Sequence, residues 1–168
     1  MKPVTIHLPR PTNRRGLTTV TLTPGVVDED AEEVFSFGYC YLLALAMHEA
    51  TGWRIAVLDR LEPDGSWRGV HVAVVTPDDW FVDIRGRRYM SGALNGDAHL
   101  RVEGANGKFH DARLRTASGF LGFGQLIEQD LGVATLAEYW LTWEPSFVRL
   151  VRGFAEALLH SHERSSAA

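Results

Sequence analysis

The sequence predicts an α+β fold in which a central buried helix packs on a small antiparallel sheet, followed by a helical C-terminal region. Three observations support this prediction. Residues 39–51 have high helix propensity and are apolar on nearly every side, which is typical of a helix buried inside a domain. Three β-rich runs separated by turn residues follow that helix. Near the C-terminus, apolar residues recur at helical spacing after Pro145.

The N-terminal part is predicted to hold one short strand and one short helix. Residues 1–17 contain several prolines and arginines, which indicates an extended or loosely ordered lead-in. The alternating β-branched residues at 18–23 predict a strand that a Pro-Gly pair closes. Asp28 precedes a run of carboxylates, which suits the N-terminus of a helix that ends near Phe35.

The middle of the chain is predicted to form an antiparallel meander in which the last two strands make a hairpin. The predicted strands are residues 53–58, 69–75 and 80–84. The arginine-rich residues 85–88 are expected to end the meander. Weaker β patterns at 99–103 and 110–115 predict two further strands. Residues 117–124 are rich in glycine and phenylalanine, and we expect a connection there, with a mobile lid as the alternative.

The C-terminal third is predicted to be helical. The expected helices are residues 125–131, residues 133–143, and a last helix that Ser146 caps and that runs to about residue 162. Five apolar residues of the last helix form a stripe at helical spacing that should face the core: Phe147, Leu150, Val151, Phe154 and Leu158.

Length and composition indicate one domain spanning 1–168, with a core at about 18–116 and C-terminal helices at about 125–162. The net charge of -4 and the scattered arginines argue against a nucleic-acid-binding surface. No apolar run reaches membrane-spanning length, and the N-terminus lacks the apolar core of a signal peptide. One cysteine cannot form an internal disulfide. We therefore expect a cytoplasmic protein without membrane contact, or, if it is an effector, one that is delivered elsewhere.

Cys40 is the candidate nucleophile. It is the only cysteine, and it lies where a glycine-containing loop becomes the predicted central helix. Free backbone N–H groups and the helix dipole at such a position favour a thiolate over a thiol. Such a thiolate also needs an imidazole partner, and that imidazole needs an acceptor that fixes its tautomer.

His71 and Asp83 are the candidate partners of Cys40. Each is a polar residue inside an apolar strand, where an unpaired carboxylate would be costly. The turn between their strands makes the two positions near-opposite, so both side chains should point to one face within hydrogen-bonding reach. A shift of one residue in register would separate them.

These residues resemble motifs of the papain-like cysteine hydrolase superfamily, most closely its NlpC-type, transglutaminase-like and toxin-deamidase-like branches. The matching segments are Gly38-Tyr39-Cys40, His71-Val72-Ala73-Val74 and Phe81-Val82-Asp83, within residues 35–86. The resemblance implies a papain-like core in which Cys40 attacks a carbonyl carbon to form a thioester. His71 would transfer the proton, Asp83 would orient His71, and the Cys40 backbone N–H would donate to the oxyanion. No cofactor is implied, and the substrate would be a protein or peptide.

One position departs from the pattern of this superfamily. Papain-type enzymes place a glutamine a few residues before the cysteine to complete the oxyanion hole, whereas this chain has Val34 at that spacing. Ser36 or another backbone amide could take its place. The departure argues against strict papain-type peptidase activity and leaves thioester chemistry on a glutamine side chain or an isopeptide open. The predicted function is therefore a thiol-dependent hydrolase or transferase of the peptidase, amidase or glutamine deamidase type.

Two other interpretations stay open at the level of sequence. Taken singly, Cys40 can be a core residue, His71 a satisfied strand histidine and Asp83 the partner of an arginine such as Arg85. A separate alternative is a non-catalytic papain-like binding module, with aromatic residues such as Trp67, Trp80 and Tyr89 at a protein interface. A metalloenzyme is disfavoured, because the histidines form no H-E-x-x-H or C-x-x-C partner set, and we expect no metal site.

Overall fold

The computed structural model describes residues 2–8, 15–89, 100–103 and 107–166. Within them the fold is mixed α and β, with a six-stranded antiparallel sheet, a separate two-stranded sheet and five helices. The strands are β1 (Val4–His7), β2 (Thr19–Leu22), β3 (Arg54–Leu61), β4 (Trp67–Val75), β5 (Trp80–Asp83), β6 (Gly86–Tyr89), β7 (Leu100–Glu103) and β8 (Phe109–Ala117). The helices are α1 (Glu29–Phe37), α2 (Cys40–Thr51), α3 (Phe120–Leu126), α4 (Leu136–Leu141) and α5 (Pro145–Ser166).

The large sheet has the strand order β6-β5-β4-β3-β8-β7. The predicted meander of β3, β4 and β5 is confirmed, and so are the two further strands, which pair with each other as β7 and β8. The prediction that residues 85–88 end the meander is wrong. Gly86 adopts a φ of 91°, which allows a tight turn after β5, and the arginines that follow form the edge strand β6.

The N-terminal residues are more regular than predicted. β1 pairs with β2 over Val4–His7 and Thr19–Leu22, so the segment expected to be an extended lead-in contains a strand. Ile6 and Leu8 pack in the main hydrophobic core, because the small sheet has one face turned inward. The residues of the main hydrophobic core therefore run from Ile6, before residue 18, to Leu158 in the last helix.

Helix α2 lies at the centre of the fold, as predicted. Its residues 42–47 are all buried, and it packs against β4 and α5. Gly52 ends the helix in the left-handed conformation, with φ of 71°, and its N–H donates to the carbonyl of His48. Before it, α1 begins at the predicted cap, where an Asp28 side-chain oxygen accepts from the N–H of Ala31 at 2.9 Å.

The C-terminal helices differ from prediction in their bounds. A helix forms at Phe120–Leu126, where a connection was expected, because Phe120 and Phe123 bury their rings in the core and outweigh the poor propensity of the glycines. The helix predicted at 125–131 is wrong, since Glu128 takes a left-handed φ of 54°. The predicted helix at 133–143 is confirmed only as the shorter α4, which a Thr135–Glu138 capping box begins.

The last helix is longer than predicted. Helix α5 begins at Pro145, one residue before the expected cap, and continues to Ser166. The predicted stripe is confirmed, because all five of its residues are buried. Among the described residues, no helix combines the length and the apolar character that crossing a membrane requires.

Candidate functional site

The structure brings His71 and Asp83 together. β4 pairs with β5 at Val74–Val82 and Val75–Phe81, and continuing this register places Asp83 opposite residue 73. His71 is therefore a diagonal neighbour of Asp83 on the same face, rather than its directly opposed partner. The ring still reaches the carboxylate, with His71 Nε2 at 2.8 Å from Asp83 Oδ2.

Asp83 is a buried carboxylate with three donors around it. Its side chain is 3% exposed. Oδ2 accepts from His71 and from the guanidinium of Arg88, and Oδ1 accepts from the backbone N–H of Arg85 at 2.9 Å. Burial by itself would raise the pKa of the Asp83 carboxyl, but the hydrogen bond from His71 and the charge of Arg88 outweigh it and lower the pKa. Asp83 is therefore an anion at neutral pH.

His71 is held as a cation by its neighbours. Its side chain is 14% exposed, and burial alone would lower its pKa. Hydrogen bonds to Asp83 and to Cys40, together with the charges of those groups, outweigh burial and raise the pKa of His71 to about 9. Because Nε2 faces Asp83, Nδ1 is the ring nitrogen left for the thiol.

Cys40 is the first residue of α2 and is half-buried. Helix α1 ends just before it, where the N–H groups of Gly38 and Tyr39 both donate to the carbonyl of Val34. Tyr39 caps α2 without a side-chain hydrogen bond. The thiol therefore lies at the positive end of a buried helix, next to the cationic ring of His71.

A cavity of about 700 Å³ opens beside Cys40 and His71. Segments that are distant in sequence build its walls, namely the junction of α1 and α2, strands β4 and β8, helix α3 with the loop after it, and helix α4. Representative wall residues are Ser36, Cys40, Trp67, His71, Arg115 and Tyr139. Cys40 and His71 therefore both line this cavity.

Sequence reasoning did not find a second polar cluster on the cavity wall. The fully buried carboxylate of Asp59 accepts from Arg113 Nε at 3.0 Å, from Arg115 Nε at 2.5 Å and from Arg115 Nη2 at 2.9 Å. Both arginines line the cavity, and Arg113 lies over the ring of Trp67, with 4.4 Å between its Cζ and the ring centroid. Two features of the sequence indicate this cluster. Asp59 follows a run of apolar residues in a predicted strand, and Arg113 and Arg115 are two residues apart, which places them on one face of a strand.

The other residues that the sequence analysis named for an interface or for pairing with Asp83 do not form one cluster in the described part of the chain. Trp67 is 39% exposed at the cavity, whereas Trp80 is half-buried and contacts Arg87; the side chain of Tyr89 lies outside the described part of the chain. Arg85 contacts Asp83 through its backbone, and Arg88, which the sequence did not single out, supplies the charge. No group of three or more potential metal ligands occurs in the described ranges.

No protein-family model, curated protein or solved structure gives a significant match to this chain. Any assignment of function therefore depends on the chemistry of the residues around Cys40.

Proposed function

We propose that the protein is a thiol-dependent hydrolase or transferase that acts on a carbonyl or carboxamide of a protein or peptide through a Cys40 thioester. The observation that carries this proposal is the buried hydrogen bond between His71 and Asp83 beside Cys40. A buried carboxylate that fixes an imidazole, which in turn neighbours a thiol, is the arrangement that nucleophilic cysteine chemistry requires.

Cys40 and His71 act as an ion pair in this mechanism. With a pKa of about 9, the His71 ring is an imidazolium at neutral pH. A neighbouring cation and a helix N-terminus both favour the thiolate, which is the nucleophilic form of cysteine. Asp83 keeps Nε2–H engaged, so that Nδ1–H points to the thiol and later to the leaving group.

Acylation then follows in two steps. Cys40 Sγ forms a bond to the carbonyl carbon, and the carbonyl electron pair moves to the oxygen. The pair returns, the bond to the leaving nitrogen breaks, and His71 gives that nitrogen its proton, which leaves a thioester on Cys40. Water, or an amine in the transferase case, then attacks the thioester carbon while His71 accepts the proton of the nucleophile. The bond between that carbon and Cys40 Sγ breaks, which releases the acyl product and restores the Cys40 thiolate beside protonated His71.

A papain-like core and a cytoplasmic setting are part of the same proposal. The order of a cysteine-bearing helix, a strand with histidine and a neighbouring antiparallel strand with aspartate supports the first. The single half-buried cysteine supports the second, because a reducing compartment preserves a free thiol.

Alkylation of Cys40 by iodoacetamide at different pH values tests the proposal. An isolated thiol has a pKa of about 8.5, so below it the rate of alkylation falls about tenfold per pH unit. We expect Cys40 to react nearly as fast at pH 6 as at pH 8, because His71 is protonated over this range. Intact mass spectrometry measures the rate.

The His71→Gln variant is the matched comparison. It removes the cation while keeping a side chain that can hydrogen-bond, and we expect its rate at pH 6 to fall at least about tenfold. A wild-type alkylation rate that declines tenfold per pH unit below pH 8 would contradict the proposed enzymatic function. A Cys40 that does not react with iodoacetamide in the folded protein would contradict it as well.

A non-catalytic binding module is the second candidate, and Trp67 is the observation that favours it. This ring is partly exposed at the cavity and stacks on Arg113, which is a common arrangement of interface anchors. The alkylation profile separates the two candidates, since a binding module gives no reason for Cys40 to stay reactive at pH 6.

A further inference from the structure

The cavity has a second wall, which the proposed thioester chemistry does not use. One face of β3, β4 and β8 forms it. Asp59 on β3 lies opposite Gly69 on β4 and opposite Arg113 on β8. Residues two apart on a strand share a face, so Trp67 and Arg115 belong to the same wall. All of these residues except the buried Asp59 line the cavity.

This wall carries an excess of positive charge, because two guanidinium groups share the single carboxylate of Asp59. Arg115 donates to it twice, and Arg113 donates once, through Nε at 3.0 Å. One carboxylate cannot neutralise both cations, so one positive charge remains. Arg113 is the more accessible of the two, since its side chain is 45% exposed and that of Arg115 is 27% exposed.

Arg113 is held in one orientation with two of its nitrogens unused. Its Nε–H donates to Asp59, and its guanidinium lies over the ring of Trp67 at 4.4 Å from Cζ to the ring centroid. Within the described part of the chain, its terminal nitrogens donate to no protein group. A planar guanidinium with such donors matches the two oxygens of a carboxylate. Because the fork is oriented before a ligand arrives, binding costs less conformational entropy.

Gly69 leaves space in front of this charge. A Cβ at this position would lie 3.4 Å from Val57 Cγ1 and 3.7 Å from Asp59 Oδ1. Gly69 is also exposed and lines the cavity. A longer side chain would therefore fill part of the wall beside Asp59, whereas glycine leaves that space to a ligand.

We propose that Arg113 binds a carboxylate of the substrate, so that the protein acts on acyl groups that carry a carboxylate at a distance from the reacting carbonyl. This inference rests on the proposed function. Cys40 and Arg113 line the same cavity, and its volume of about 700 Å³ is within the range of ligand-binding pockets. One substrate can therefore occupy both walls. Arg113 determines specificity and takes no part in making or breaking bonds.

A singly charged carboxylate fits this wall better than a phosphate group. Only one positive charge remains around Asp59, and the exposed carboxylate of Glu128 also lines the cavity. A phosphate carries nearly two negative charges at neutral pH. One of these charges would stay unbalanced in a cavity that already contains Glu128.

Acyl donors that differ only in a terminal charge test the role of Arg113. Mono-p-nitrophenyl esters of the dicarboxylic acids from adipic to sebacic acid place a carboxylate at increasing distance from the reacting carbonyl, and the methyl ester of each is its neutral counterpart. In every case Cys40 Sγ takes the acyl group and p-nitrophenolate leaves. At the best chain length we expect the acid to acylate wild type about tenfold faster than its methyl ester, as a hydrogen bond to a charged group would give. Nitrophenolate release and the acyl mass on Cys40 are the measurements.

Arg113→Gln should bring the ratio of the two rates close to one, because glutamine supplies no charge. Each ratio is taken within one variant, so a general loss of stability affects both esters. Arg54→Gln is the matched control and should keep the wild-type ratio. Arg54 is also 45% exposed and pairs with an aspartate, Asp79, but it lies outside the described lining of the cavity. A wild type without preference for the acid at any chain length, or a preference that survives in Arg113→Gln, overturns the role of Arg113.

Competing peptides identify the source of the carboxylate in a protein substrate. An acetylated and amidated glycine peptide with one glutamate offers only a side-chain carboxylate. An acetylated glycine peptide with one glutamine and a free C-terminus offers only a terminal carboxylate. The peptide that slows Cys40 acylation by the methyl ester at the lower concentration identifies the source, and equal slowing shows that either is accepted. If neither slows it more than the acetylated and amidated glutamine peptide, carboxylate recognition is overturned.

A different outcome removes the proposed function itself. If wild type releases nitrophenolate from the acids and from the methyl esters no faster than Cys40→Ala does, Cys40 is not a nucleophile toward carbonyls, and the inference about Arg113 fails with it. Acylation of Cys40 by the methyl esters without any preference for the acids removes only the role of Arg113.

Discussion

In the Cys40→Ala variant, the free energy of unfolding is expected to fall by up to about 3 kcal/mol as the pH rises from about 6.5 to about 9, and His71 is the cause. Its pKa is raised from 6.5 to about 9 in the folded protein. At His71 the folded state therefore binds more protons than the unfolded state between these values, which makes stability decrease with rising pH. In the wild type the proton released by the proposed Cys40 thiolate offsets this effect, so the variant without the thiol isolates the contribution of His71. The contribution is fully present below pH 6.5 and is lost as the pH passes 9.

Denaturant unfolding at several pH values, followed by tryptophan fluorescence, measures this effect. The series should end below pH 10, because burial raises the pKa of Tyr41 and Tyr139, and these groups add their own dependence above it. In the Cys40→Ala background, His71→Gln should remove the slope, whereas His48→Gln, at a histidine that contacts a backbone carbonyl at 2.6 Å, should keep it. A stability of Cys40→Ala that is flat or rising from pH 6.5 to 9 would contradict the raised pKa of His71.

The Arg115→Ala variant is expected to destabilise the fold by about 3 kcal/mol. Arg115 supplies two of the three hydrogen bonds to Asp59, a carboxylate without solvent contact. Its loss leaves this buried charge with a single partner. Arg113→Ala removes one hydrogen bond from a more exposed side chain and should cost only about 1 kcal/mol.

A double-mutant cycle distinguishes the free-energy cost of an unpaired Asp59 carboxylate from the cost of lost packing around Arg115. If the penalty comes from an unpaired carboxylate, Asp59→Ala combined with Arg115→Ala will be more stable than Arg115→Ala alone. Thermal or denaturant unfolding of the variants provides the comparison. Equal losses for Arg113→Ala and Arg115→Ala would show that the two arginines share the charge evenly.

Local patterns predicted the elements whose burial follows from periodicity. Helix α2 and the stripe on α5 are amphipathic or apolar over several turns, so their place in the core could be inferred. The strand β6 and the helix α3 could not be predicted in this way. The strand β6 is rich in arginine and forms because it pairs with β5, and the helix α3 is rich in glycine and forms because its phenylalanine rings are buried. These are tertiary effects that a short window does not contain.

The candidate site shows the same division. The two-residue period of strands placed His71 and Asp83 on one face, but the exact pairing depends on the turn at residues 76–79, which makes them diagonal neighbours. Asp59 and Arg115 are separated by 56 residues, and only the pairing of β3 with β8 brings them together. The cavity is likewise a product of topology, because its walls come from segments distant in sequence.

Two cations compete for one oxygen of Asp83. His71 and Arg88 both donate to Oδ2, but the His71 ring is enclosed, whereas the Arg88 side chain is 48% exposed. Dissolved ions screen an exposed charge far more than an enclosed pair. Raising the ionic strength therefore weakens the attraction between Arg88 and Asp83 more than the attraction between His71 and Asp83. The edge strand β6 thus makes the balance of charges around Asp83 depend on the salt content of the medium.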